Sequence, residues 1–287
     1  MKIAIVTDST SYLPAELVQK YDIKIVPVEV VFDGKTYKED IDINTSEFYD
    51  LLQSSPELPS TAQPSMGEMI NIYDDLAKEG YDTIISIHLA STISGFVNNL
   101  KTAAQTIENA DVRVIDSQIT TRLMGYQVEY AAMQASKGKS VDEIIDGIHD
   151  LQTTTGEAFV VNDLKNLVKG GRLSNTSAVI GTMLQIKPLL EFDNETHQIV
   201  AYDKVRSIKK AKLKAEEKLA NAYKNADYQL RMLVIDGDDI QAGNEWAEHL
   251  KEVYPDVKID RSYFGPVIGT HLGKGALAVA WIKEFDK

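Results

Sequence analysis

The chain has 287 residues, of which 44% are hydrophobic, 25% charged and 8% aromatic. That length suits about two domains of ~150 residues, with enough apolar content to bury cores without disulfides or metal staples. There are no cysteines, which excludes disulfides, thiolate metal sites, cysteine nucleophiles and palmitoylation together. Thirty basic against forty-three acidic residues leave a formal charge of −13. Such a surface repels phosphate backbones and anionic headgroups, so nucleic-acid and membrane-surface binding are disfavoured. No window reaches the ~18 apolar residues of a membrane span. No signal peptide precedes the strand-like run that begins at Lys2, so a cytoplasmic location is expected.

Short β-rich runs alternate with helical patterns, the signature of parallel α/β units. Residues 2–7 read as a buried strand, followed by Asp8-Ser9-Thr10-Ser11 and a helix opened by Pro14. Residues 23–32 form a second apolar run, with Pro27 arguing against a central position for its middle. A helix over 46–52 and a turn-rich stretch over 54–65 lead to a helix over 66–80. A strand over 83–89 and a loop over 90–95 precede a helix that runs to 108. A strand over 112–116 and helices over 121–138 and 141–153 follow, the last capped by Ser140. The composition changes at Thr153-Thr154-Thr155-Gly156-Glu157, which sets the domains at 1–155 and 156–287. The second half reads as a strand over 158–161, the segment 163–170, the turn Gly171-Arg172-Leu173-Ser174 and an apolar helix over 175–185. A hairpin of 189–193 and 197–206, a charged helix over 209–224, a strand over 229–236, a helix over 243–254 and a strand over 257–262 come next. The glycine-rich segment 265–275 then leads to a terminal helix, placed to pack back on the first domain. The expected fold is α/β in two domains: a parallel-sheet N-terminal domain, a second α/β domain and a ligand cleft between them.

No phosphate loop of the G-x-x-x-x-G-K-[ST] kind occurs. Gly273-Lys274-Gly275-Ala276-Leu277-Ala278 lies too late in the sequence for a dinucleotide βαβ unit. Neither H-E-x-x-H nor G-x-S-x-G is present. The five histidines, His88, His149, His197, His249 and His271, show no helical ligand spacing, so no metal and no cofactor are expected. What remains is a set of loops crowded with hydroxyls: Asp8-Ser9-Thr10-Ser11, Thr61-Ala62-Gln63-Pro64-Ser65 and Ser91-Thr92-Ile93-Ser94-Gly95. Each adjoins an expected strand end or helix start, where open parallel sheets bind ligands and helices offer N–H groups and a positive dipole end. Hydroxyls with amide donors make an anion site that carries no full positive charge. The same residues also suit plain N-caps and turns.

Five segments in order and spacing resemble the DegV family: Thr7-Asp8-Ser9-Thr10, Thr61-Ala62-Gln63-Pro64-Ser65, Ser91-Thr92-Ile93-Ser94-Gly95, Gly171-Arg172-Leu173-Ser174 and the run from Gly265 to Gly273. The resemblance spans nearly the whole chain. It implies a protein that is not itself an enzyme and that holds one long-chain fatty acid, its carboxylate in the cleft and its tail in a closed tunnel. It also implies a partner, an ATP-dependent fatty acid kinase subunit that converts the carboxylate to acyl phosphate for phospholipid synthesis. Position by position, the resemblance has Thr61 and Ser94 donate to the carboxylate, with help from the Gly95 amide and with His271 near the headgroup. Arg172 shapes the site, and Arg206 works with the kinase. Two positions depart from the family pattern. Phe96 stands where threonine is usual, which bears on pocket shape, and Lys274 where proline is usual, which bears on the rigidity of the last turn.

Residues 177–184 are apolar almost all round and read equally as core or as tunnel lining. Ile180, Met183 and Leu184 are the candidate lining, Met183 being adaptable to several chains. The basic run Lys204, Arg206, Lys209, Lys210, Lys212 and Lys214 reads as a solvated helix face partly paired with Glu216 and Glu217, or as a docking face for an acidic partner. Two rival classes stay open on the residues: an autonomous small-molecule phosphotransferase or hydrolase using Asp8 or His271, and a structural or regulatory α/β protein with an empty cleft.

Overall fold

Branched aliphatic runs form the strands, and amphipathic stretches between them form the helices. The structure, a computed structural model, describes residues 2–162, 164–173 and 186–286. The expected helix over 175–185, with Ile180, Met183 and Leu184, lies outside the described residues. In chain order the elements are β1 (Ile3–Asp8), α1 (Ala15–Tyr21), β2 (Lys24–Val26), β3 (Glu29–Phe32), β4 (Lys35–Lys38), α2 (Thr45–Ser54), β5 (Ser60–Ala62) and α3 (Met66–Lys78). Next come β6 (Thr83–His88), α4 (Phe96–Ala104), β7 (Asp111–Asp116), α5 (Thr121–Ser136), α6 (Val141–Thr154), β8 (Gly156–Val160), α7 (Lys165–Lys169) and β9 (Lys187–Phe192). The chain continues through β10 (Ile199–Val205), α8 (Ile208–Asn225), β11 (Leu230–Asp236), α9 (Ile240–Val253), β12 (Lys258–Tyr263), α10 (Pro266–Leu272) and β13 (Leu277–Lys283). The apolar run 23–32 divides at Pro27, which has no N–H to give a ladder.

The chain forms two compact units: Met1–Val31, Thr36–Asp42 and Thr61–Thr153 in the first, Phe32–Lys35, Ile43–Ser60 and Thr154–Lys287 in the second. The first is built on an all-parallel sheet of order β2-β1-β6-β7. Strand β6 is buried along its whole length, as expected of a parallel strand covered on both faces. Helix α5 packs on β1 and β6, while α3 packs on β6 and on α4. From β1 the chain goes to β2 on one side and later returns to β6 on the other. The carboxyl ends of β1 and β6 therefore flank the switch point where ligands bind in open parallel sheets.

The second unit holds a six-stranded sheet of order β10-β9-β8-β13-β11-β12, in which only β11 and β12 run parallel. Its core includes Val160, Leu189, Leu219, Val234, Trp246 and Val279. The stretch expected as a terminal helix is β13, an interior strand antiparallel to both β8 and β11. Leu277 through Ile282 are all buried, so the run shows neither strand alternation nor a helical stripe. Such a short apolar run fits either structure, and pairing on both edges makes it a strand.

Among the described residues two carboxyls on the strands of this sheet are buried, Asp236 and Glu157. Glu157 is 8% exposed and accepts a hydrogen bond from Phe192 N at 2.6 Å. Burial raises its pKa, against the lowering effects of that bond and of Lys218. A raised acid holds its proton longer in the native state, so its contribution to stability falls as pH climbs past its ordinary value of 4.5. Glu157→Gln keeps the acceptor and removes the charge. The variant should melt at an equal or higher temperature than wild type at neutral pH and show no advantage near pH 4.5, as read by thermal melts across that range.

Candidate functional site

Strand β1 delivers Asp8, wholly buried, to the carboxyl edge of the parallel sheet. One carboxylate oxygen accepts from Thr10 N at 3.1 Å and Thr10 Oγ1 at 2.5 Å. The other accepts from His88 Nδ1 at 3.0 Å and Leu89 N at 3.2 Å. Four donors on two oxygens fill the carboxylate's capacity in that plane. Asp8 thus ties the turn after β1 to the loop after β6. The same loop is held again by Ser91 N on Asp116 Oδ1 at 3.2 Å and by Ala90 N on the Ile119 carbonyl at 2.8 Å.

Bonding sorts the hydroxyls that the sequence left undivided. Ser9 donates to the buried Glu39 at 2.5 Å and accepts from Val28 N, so it serves the scaffold. Thr10 donates to Asp8 and accepts from Thr120 Oγ1. Ser65 is the N-cap of α3 and accepts from Glu68 N. Ser94 differs from these. Its Oγ accepts from Phe96 N at 3.3 Å, at the first residue of α4, and this cap bond uses its oxygen and leaves its O–H proton to donate elsewhere. Gly95, the exposed N-cap of α4, adds a backbone amide where a helix lacks internal partners for its first N–H groups. The segment that carries Thr61 runs alongside: Gln63 Oε1 lies 3.9 Å from where a Cβ on Gly95 would sit. Thr61, on β5, therefore belongs to the same unit as Ser94 and Gly95, and the segment just after it neighbours Gly95.

Phe96 is wholly buried, and its ring meets the His88 imidazole edge-on at 4.8 Å and 73°. The bulky departure from the family pattern is thus absorbed by the core beneath the loop. His88 continues into a buried chain: its Nε2 lies 2.7 Å from Ser86 Oγ, which lies 2.8 Å from Tyr73 OH. The series Ser86, His88, Asp8 has the connectivity of a hydrolase triad, yet all three are 0% exposed. Nothing in solution reaches that serine or Asp8, so the reading of Asp8 as a nucleophile or general base fails on access. Sequence reading passed over this chain because His88 and Ser86 sit on one strand face while Asp8 is 80 residues away. The only local signal was a Ser-x-His spacing inside a strand.

In the second unit, His271 lies in the last turn of α10, with Nδ1 sealed from solvent. A Cβ on Gly170 would sit 2.7 Å from that nitrogen, and Gly171 has φ +71°, so the double glycine before Arg172 is required by space and by backbone. Arg172 donates to the Gly170 carbonyl at 2.5 Å. Lys274 pairs with Asp238 at 2.6 Å, and its carbonyl accepts from Asn162 Nδ2 at 2.8 Å, contacts that pin the turn without a proline. Arg206 is exposed just before the N-cap of α8, and among the described residues it makes no ion pair. In the basic helix Lys214 pairs with Glu217, while Glu216 accepts from Trp246 Nε1 instead. Among the described residues no cluster of His, Asp and Glu has the makings of a metal site, and no helix is long and apolar enough to cross a membrane.

The parallel sheet, its switch point and the donors gathered there define an α/β protein whose first unit presents uncharged hydrogen-bond donors at a helix N-terminus. A family model described as "Uncharacterised protein, DegV family" matches residues 2–284. The chain belongs to the DegV family. It is 41% identical over 280 residues to a DegV domain-containing protein of Listeria innocua, covering 98% of each chain. Among solved structures it resembles DegV of Bacillus subtilis, described as a fatty acid binding protein, at TM-score 0.91, with 38% identity and 99% and 100% of the two chains covered. A fatty acid binding DegV family protein of Streptococcus agalactiae aligns at TM-score 0.92, with 35% identity and the same coverage.

Burial, then the neighbouring Arg172 guanidinium, pushes the His271 imidazole down from its ordinary 6.5 to about 4. Both disfavour the imidazolium, so His271 is neutral at pH 7. Because the unfolded chain takes up that proton first, native stability falls as pH drops from 6.5 toward 4. In an NMR titration the His271 ring signal should keep its neutral position to below pH 6 and move with a midpoint near 4. A midpoint at the ordinary value would contradict this burial.

Proposed function

We propose that this protein binds one long-chain fatty acid in a buried tunnel and presents its carboxylate to a separate ATP-dependent kinase subunit, which forms the acyl phosphate. The observation that carries the reading is Ser94: its oxygen is engaged by Phe96 N at the start of α4, which leaves its O–H to donate beside the Gly95 amide. A helix N-terminus with a hydroxyl donor suits a carboxylate. The Bacillus and Streptococcus proteins, both described as fatty acid binding, support the ligand class.

In this reading Thr61, Ser94 and Gly95 hold the carboxylate, and His271 and Arg172 are further headgroup residues on the strength of the family. The apolar pattern over 177–184 makes Ile180, Met183 and Leu184 the proposed lining for the tail. A chain of ~15 methylenes gains about 12 kcal/mol on leaving water, at ~0.8 kcal/mol each. Immobilising the ligand costs roughly 4–15 kcal/mol, so the tail must be well packed and dry. A buried carboxylate without partners would cost several kcal/mol more, which hydroxyl and amide donors offset. Neutral donors also serve the chemistry. A carboxylate oxygen attacks the γ-phosphorus of ATP on the partner, ADP leaves, and an acyl phosphate forms. An arginine fork would occupy the very lone pairs that attack, whereas hydroxyl donors leave some of them available. The chain contains no phosphate loop of its own, which suits a partner that brings the nucleotide. Exposed Arg206 is the contact that assists this partner, and the acyl phosphate is destined for phospholipid synthesis in the cytoplasm.

Solvent extraction of the purified protein followed by mass spectrometry should return about one fatty acid per chain, and Ser94→Ala should lower that yield. Arg206→Ala should keep the lipid and lose most acyl-phosphate formation with the kinase present. No fatty acid from wild-type protein, or full yield and full turnover in both variants, would overturn the reading.

A further inference from the structure

The site in the first unit rests on a buried histidine with two directed bonds. Asp8 accepts from Thr10 N, Thr10 Oγ1 and Leu89 N, and a proton on His88 Nδ1 makes the fourth contact a hydrogen bond as well. Burial pushes the Tyr73 phenol up to about 12, which keeps it a donor. If Tyr73 donates to Ser86 and Ser86 donates to His88 Nε2, every proton in the series has an acceptor. With Nε2 protonated, Ser86 Oγ must accept from it, and either the serine or the phenol proton is left without an acceptor in the series, which is costly. The neutral Nδ1–H tautomer follows from counting donors.

That orientation matters because of what the ring touches. Its face and edges meet three things at once: the Asp8 carboxylate, which also holds Leu89 N; Ser86 on its own strand; and the ring of Phe96, whose N–H is the donor to Ser94 Oγ. The loop from Leu89 to Phe96 is thus anchored at both ends to one side chain, and Ser94 lies between the anchors. We infer that His88 is a positioning residue for ligand recognition: through Asp8 at one end of the loop and Phe96 at the other, it fixes the place of the Ser94 hydroxyl and the Gly95 amide. It touches no ligand and acts only through that loop. This inference rests on the proposed carboxylate site.

The consequence is specific to the headgroup. A loosened loop misplaces the donors by a fraction of an ångström, and aligned donors are what separate a carboxylate from a neutral headgroup. The probes are oleate and oleyl alcohol, with the same tail and different heads, measured by displacement of a fluorescent fatty acid from delipidated protein. Wild-type protein should prefer oleate. His88→Phe should lose oleate affinity by about tenfold or more while the alcohol moves less than about twofold. His88→Asn, whose amide can replace Nδ1–H toward Asp8, should recover part of the preference. Phe96→Leu tests the second anchor without touching the buried bonds and should erode the preference in the same sense. An equal loss for both probes in step with a lowered melting temperature means that His88 only stabilises the fold, and an unchanged preference in foldable His88 and Phe96 variants overturns the inference. Should wild-type protein bind neither probe, the carboxylate site itself is wrong, an outcome distinct from these.

Discussion

The Asp8 carboxylate is the constraint on which the first unit's site depends. It closes the turn after β1 through both donors of Thr10 and holds the loop after β6 through His88 and Leu89. A charge wholly removed from water is tolerated only when its lone pairs are filled, and here four donors fill them. Because these donors come from two strands on either side of a switch point, the carboxylate also fixes how far apart the two strand ends stand. Asp116, accepting from Ser91 N and Gln118 N, repeats the device at the end of the next strand. A loop pinned this way at successive points offers Ser94 and Gly95 with little left to reorganise when a ligand arrives, and preorganised donors are the effective ones.

Electrostatic economy follows from the same arrangement. With a formal charge of −13 the protein does not attract anions at long range, and its first unit places the Asp8 carboxyl below the loop. In the proposed function, discrimination in favour of a carboxylate then falls to short-range donors: a hydroxyl whose oxygen is occupied, an amide at a helix start, and the partial positive end of α4. In the second unit His271 is likewise uncharged at neutral pH, since burial and Arg172 hold its imidazole neutral. Arg172 itself is turned onto the Gly170 carbonyl, shaping the turn whose two glycines let the imidazole approach.

Much of this was legible in the residues, and what was not has identifiable causes. Continuous branched runs gave β1 and β6 away, because strands covered on both faces tolerate little else. The hydroxyl-rich loops stood out by composition. Which hydroxyls are spent on the scaffold and which keep a proton to donate did not, because Ser9 finds Glu39 thirty residues on and Ser94 finds its partner two residues on, and nothing local distinguishes them. His88 looked like one scattered histidine among five, since its partner Asp8 precedes it by 80 residues. The final run Leu277–Lys283 was read as helix because an interior strand buried on both faces has no alternation to show. The grouping of Ile43–Ser60 with the second unit is set by tertiary packing such as Tyr49 on the Phe264 carbonyl at 2.9 Å, which leaves no pattern in the local sequence.

The most direct measurement is carbon NMR of a fatty acid labelled with carbon-13 at the carboxyl and bound to the protein. A single bound resonance of an ionised carboxylate, displaced from its place in water and moved again by Ser94→Ala and by Thr61→Val, is the expected result. A carboxyl signal that never leaves its aqueous position, or a bound one indifferent to both substitutions, would contradict a headgroup held by the uncharged donors of the first unit.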